Sequence, residues 1–170
     1  MTTPELIAVA IAITACFWDV ATSRIPNALT LSAAALAIVF HAFAPAGGGA
    51  WFPLVGLAAG LAVFFPMFAL RAMGAGDVKL MAALGAWIGW KSIVFVALYG
   101  SLAGGVLALV VGLRRRYLRQ AFSNLKLLAT YWWVEGVKPL PALTLEAKNG
   151  VRLPYALAIA AGLAVTVWQR

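Results

Sequence analysis

Acid is scarce in this chain: its 170 residues include five acidic side chains, and only Asp19 and Asp77 are aspartates. Charge of either sign is thin, at 11% of residues, where an average soluble domain carries about 25%. With 64% hydrophobic residues and a mean hydropathy of +0.96, an ordinary soluble domain is excluded and an integral membrane protein is expected. The single cysteine, Cys16, permits no intramolecular disulfide and no Cys-x-x-Cys metal site, and inside an apolar run it reads as a buried, inert thiol. The single histidine, His41, also falls in an apolar run and reads as structural or interfacial.

What is abundant is apolar length. Stretches long enough to cross a bilayer, roughly 17 to 25 residues, give six expected spans: Glu5 to Ala21, Ala28 to Ala44, Trp51 to Leu70, Val78 to Trp90, Ser92 to Leu113 and Leu153 to Trp168. The expected fold is therefore all-α, one polytopic membrane domain over residues 1–170. The stretch before the first span has no basic residue, and no cleavage site is followed by a polar mature region, so it reads as a retained span rather than a secretory signal.

The net charge of +8 is organised by topology. With the N-terminus outside, Arg24, Arg71, Lys79, Arg114, Arg115, Arg116, Arg119, Lys126, Lys138, Lys148 and Arg152 lie on the cytoplasmic side, and only Lys91 and Arg170 lie outside. The positive-inside bias thus selects an N-out, C-out topology and puts both aspartates at the cytoplasmic boundary. Cations bunched beside apolar runs point to anionic headgroups of the lipid bilayer, not to nucleic acid. Between Arg114 and Arg152, Leu118, Phe122, Leu125, Leu128 and Trp132 recur at spacings of three and four, with Arg119, Ser123, Lys126 and Thr130 between them. That pattern predicts a cytoplasmic interfacial amphipathic helix ending near Gly136 and Lys138-Pro139-Leu140-Pro141, serving as an anchor or as a guide for substrate. The outer loop, Pro45 to Ala50, is uncharged and too small to recognise much. Gly56 with Gly60, and Gly100 with Gly104, form G-x-x-x-G pairs that let helices approach closely and carry no chemistry.

Chemistry concentrates around the two aspartates. Asp19-Val-Ala-Thr-Ser-Arg-Ile-Pro26-Asn27 places Asp19 about one turn inside the end of the first span, with Pro26 stopping that helix and Asn27 opening the next. Gly74-Ala-Gly76-Asp77-Val-Lys79 precedes the fourth span, and its glycines allow unusual backbone geometry or close approach. That span is about 21 Å long, short of a roughly 30 Å hydrocarbon core, so either Asp77 is drawn below the surface or the bilayer thins. Each acid also has a bland reading: Asp77 as an N-cap, and Asp19 as an interfacial ion-pair partner of Arg24. Two residues beyond Asp77, Lys79 should point away from it and mark the membrane boundary or meet an anionic group; Arg24 is similar.

The run Asp19-x6-Pro26-Asn27 and the run GAGDVKLMAALGAWIG, Gly74 to Gly89, resemble the two signature segments of the prepilin leader peptidases, the polytopic G-x-G-D aspartic proteases. LPYALAIAAG, Leu153 to Gly162, is similar to the start of the last span in short members serving tight-adherence (Flp-type) pili, where glycine often stands in place of Ala156. Order and spacing match over nearly the whole chain. The resemblance implies Asp19 and Asp77 as the catalytic pair, with Gly74 and Gly76 shaping the second loop and Lys79, Pro26 and Asn27 supporting the site or the substrate. It implies an endopeptidase of the bacterial inner membrane that removes the short basic leader of a prepilin or pseudopilin at the cytoplasmic face. Because the first span begins at residue 5 and Cys16 stands alone, the N-methyltransferase region of larger members is expected to be missing. Two carboxylates sharing a proton can supply base and acid with no metal or cofactor, and which of them starts as base is left open.

Rival readings are a small transporter using the carboxylates as a proton relay, a non-catalytic assembly subunit, and a signal-peptide-peptidase-type protease. The first should show acids near mid-membrane, whereas the outer half of the bundle is expected to have none. The last places its first aspartate after tyrosine, where Trp18 stands here.

Overall fold

The computed structural model describes residues 1–44, 49–114, 116, 118–140 and 154–169. Among them the chain forms seven helices: α1 Thr3–Thr22, α2 Asn27–Phe43, α3 Trp51–Ala69, α4 Ala75–Ile88, α5 Trp90–Arg114, α6 Leu118–Glu135 and α7 Tyr155–Trp168. The expected spans correspond to α1 to α5 and α7 within a few residues. Of the described helices, α1, α3 and α5 are long and apolar enough to cross a membrane, while α2 and α7 are apolar but shorter. Residues 45–48 of the expected outer loop, Arg115, Pro141, Lys148, Arg152, Leu153 and Arg170 lie outside the described residues.

Small residues determine how the bundle closes. A Cβ added at Gly56 would strike the backbone oxygen of Gly85, one at Gly60 the oxygen of Met81, and one at Gly85 the oxygen of Gly56. So α3 and α4 lie backbone against backbone, which only glycine allows at these positions. Gly100 and Gly162 do the same for α5 and α7. These are the two most extensive pairings among the described helices.

The short fourth helix resolves the length problem. α4 packs against α3, α2, α1, α5 and α7, and every residue from Leu80 to Ile88 is buried. A helix surrounded by other helices meets little lipid, so its 14 residues need not match the hydrocarbon thickness. It leaves the core through Gly89, whose φ of 82° and ψ of 166° suit only glycine. A Cβ there would also meet the Phe52 ring at 2.6 Å.

Polar groups in the core are few and partnered. Trp87 donates its indole N–H to the Ala33 carbonyl at 2.9 Å, pinning α4 to α2. His41 is buried, with Nδ1 2.9 Å from the Ala37 carbonyl oxygen and its ring stacked on Phe52. This aromatic cluster lies at the end of α4 away from Asp77. One expectation fails: the end of the bundle away from the aspartates does hold an acid, Glu5, buried at the start of α1. It acts as a cap, taking the Thr2 backbone N–H at 2.7 Å, so it serves the helix end.

α6 stands apart. None of its described residues is buried, its main packing partner is α5, and Phe122 and Leu125 face outward. Its periodicity places an apolar stripe along one side and Arg119, Ser123, Lys126 and Thr130 along another.

Candidate active site

The first acid is positioned by the way α1 ends. Asp19 lies in the last turn, and the helix stops because Ser23 turns left-handed at φ 53°, its N–H bonding back to the Asp19 carbonyl at 2.8 Å. Pro26 does not terminate α1, as expected from sequence; it is the N-cap of α2, and Asn27 is that helix's first residue. The connector is stiffened by the Thr22 hydroxyl, which donates to the Trp18 carbonyl at 2.8 Å and contacts the Arg24 carbonyl at 3.0 Å. Asp19 is half-buried, and its Oδ2 accepts the backbone N–H of Ala156 at 3.2 Å. In place of the alternative reading as an ion-pair partner of Arg24, Asp19 bonds the amino end of α7, where exposed N–H groups favour an anion.

The second acid is not an N-cap. Gly74 occupies that position, so Asp77 is the third residue of α4 and its carboxyl folds back toward the Gly74 backbone, which hydrogen-bonds it. The glycines work through space rather than through unusual dihedrals: Gly74 has extended φ and ψ of −71° and 145°. A Cβ on Gly74 would approach Asp77 Oδ2 to 3.3 Å, and one on Gly76 would approach Ile25 Cβ to 3.2 Å. Bare backbone at these two positions leaves room for the carboxyl and for the α1–α2 connector.

Asp77 precedes the apolar run from Val78 to Trp90 and lies outside the three helices of membrane length. Burial first, and then the charge of Asp19, push its carboxyl up to about 7, against a smaller downward pull from the Gly74 backbone. The two carboxyls therefore interact, Asp19 against the amino end of α7 and Asp77 in the first turn of α4. A carboxyl that holds its proton beside one that accepts an amide N–H is an arrangement able to take a proton from water and return one to a leaving group.

Lys79 Nζ donates to Asn27 Oδ1 at 2.8 Å, a neutral amide on α2. So the structure brings Asp19, Pro26, Asn27, Gly74, Gly76, Asp77 and Lys79 to one end of the bundle, and leaves His41 in the aromatic cluster away from them. Sequence reasoning missed the Ala156 amide. A backbone donor has no residue-type signature; the available signal was Pro154, which marks the start of α7.

A helical membrane bundle with two interacting aspartates at one rim is the architecture of a membrane protein built around an acid pair. Residues 6–109, which contain both acids, match the model of the type IV leader peptidase family, and the chain belongs to that family. Similar proteins include a prepilin leader peptidase/N-methyltransferase of Aeromonas salmonicida (strain A449), 31% identical over 112 residues covering 59% of this chain and 37% of that protein. Another of the same description, from Pectobacterium carotovorum subsp. carotovorum, is 35% identical over 109 residues, 57% of this chain and 37% of its own length. One from Aeromonas hydrophila is 47% identical over 45 residues, 26% of this chain and 16% of its own. The chain thus spans little more than a third of the length of the first two of these relatives, and the family match stops short of α6 and α7. No solved structure gives a match.

Proposed function

We propose that this protein is a prepilin leader peptidase, an aspartic endopeptidase of the bacterial inner membrane in which Asp19 and Asp77 are the catalytic pair. The observation that carries the reading is the meeting of the chain's only two aspartates, brought from α1 and α4 to interacting positions. Asp77 holds the shared proton, consistent with its raised carboxyl. Asp19 takes a proton from water as the water oxygen bonds to the scissile carbonyl carbon. The proton on Asp77 then passes to the amide nitrogen as the C–N bond breaks.

The substrate is a prepilin with a short basic leader, a glycine before the scissile bond and a hydrophobic helix that stays in the bilayer. α1 to α5 and α7 serve as six spans with both termini outside, the fourth beginning at Val78 so that Asp77 lies at its boundary, and α6 lies in the inner headgroup layer. The active end then faces the cytoplasm, where such a leader ends. Leu153 to Gly162 supports assignment to the Flp-type branch.

Co-expression with a candidate prepilin, read as a size shift on a gel, tests the reading. Asp19→Asn and Asp77→Asn should each reduce cleavage by about a hundredfold or more, with unchanged amounts of enzyme in the membrane. A variant that still cleaves at a comparable rate removes its aspartate from the pair.

A further inference from the structure

On an α-helix successive residues turn by about 100°, so around α4 the order of directions is Lys79, then Gly76 about 60° on, then Asp77 about 100° further. The segment from Asp19 to Asn27 meets these directions in the reverse chain order. Asn27 bonds Lys79, Ile25 lies against Gly76, and Asp19 acts on Asp77. It therefore wraps the amino end of α4 through about 160°. Ile25 is buried under the wrap. The connector carries a left-handed Ser23, the Thr22 hydroxyl on the Arg24 carbonyl, and Pro26 with φ −61°, which together leave it little freedom.

We propose that residues 19–27 form a clasp around the start of α4, closed by the hydrogen bond between Lys79 and Asn27, and that Lys79 is a positioning residue setting the spacing of Asp19 and Asp77. The proposal rests on the peptidase reading. It gives the eight-residue separation of Asp19 from Asn27 a mechanical role: a shorter connector would not reach both sides of α4. Lys79 acts on the reaction through Asn27, without touching substrate.

The test is a double-mutant cycle on the purified full chain, using Lys79→Met, Asn27→Leu, both together, and Asn27→Asp, which keeps an acceptor for the lysine. With a prepilin peptide, each single substitution should lower kcat about tenfold or more with KM little changed, since small misplacement of catalytic groups is costly in rate. The double variant should be no worse than the poorer single, and Asn27→Asp should stay near the unsubstituted protein. The same cycle read as thermal midpoint in detergent needs no substrate and should show the same coupling. Independent effects in both readouts would overturn the clasp, as would a rise in KM with kcat intact, which would put Lys79 on the substrate. Absence of cleavage by every form, with the thermal coupling present, would instead overturn the peptidase reading and leave the clasp standing.

Discussion

At the scale of single residues, scarcity made the acids visible and contact made sense of them. Asp19 and Asp77 could be picked out because the chain has no other aspartate, but their environments could not. The amide of Ala156 carries no side-chain signal, and nothing in the spacing of Lys79 and Asn27 announces the bond between them. Asp77 yields a pH dependence with a definite sign. Its carboxyl sits at about 7 against an ordinary 3.8, so between those values the folded chain binds a proton that the unfolded chain has released. The stabilisation is complete below the lower value and is lost as pH rises through the higher one. The thermal midpoint of the protein in detergent should therefore fall from about pH 4 to above about pH 7 relative to that of Asp77→Asn, which has no group to titrate there. Parallel curves for the two forms would contradict the assignment. Cleavage should weaken across the same upper limb as Asp77 gives up the proton it supplies.

Among elements, apolar runs gave the helices to within a few residues, yet their mutual arrangement depended on glycine contacts that sequence spacing only hints at. The G-x-x-x-G pair on α3 could have faced any neighbour; in the fold it faces Gly85 and Met81 of α4. This is why the shortest expected span proved to be the most enclosed helix, a property of packing that its own residues do not encode. Gly60→Val should destabilise the bundle by about 1–3 kcal/mol or more, because the added carbons meet backbone that cannot swing aside. Gly105→Ala on α5 is the matched control: a Cβ there meets nothing within 4 Å, and alanine favours a helix over glycine. Thermal unfolding in detergent should show a large loss for the first and none for the second. Equal behaviour of the two variants would mean that α3 and α4 do not touch at these glycines.

For the whole molecule, the alternation of helices puts the α1–α2 connector, the α3–α4 turn and the starts of α6 and α7 at one end, with Arg24, Arg71, Lys79 and Arg114 among them. Thr3, the start of α3 and the Gly89 turn share the other, as the contact of Phe52 with Gly89 requires. The charge pattern thus agrees with the arrangement of the bundle, and the orientation we propose follows from the positive-inside bias. Labelling tests it directly, because Cys16 is the chain's sole cysteine and Cys16→Ala provides a background free of thiols. In that background Thr3→Cys and Lys91→Cys place a thiol at the end assigned to the outside, and Ser123→Cys places one on α6. A membrane-impermeant maleimide applied to intact spheroplasts should label the first two and spare the third, which should react only once the membrane is opened. The reverse pattern would invert the topology and leave both aspartates on the side away from a cytoplasmic leader. Labelling of all three in closed cells would mean that α6 does not lie behind the bilayer, and the six-span reading would fail with it.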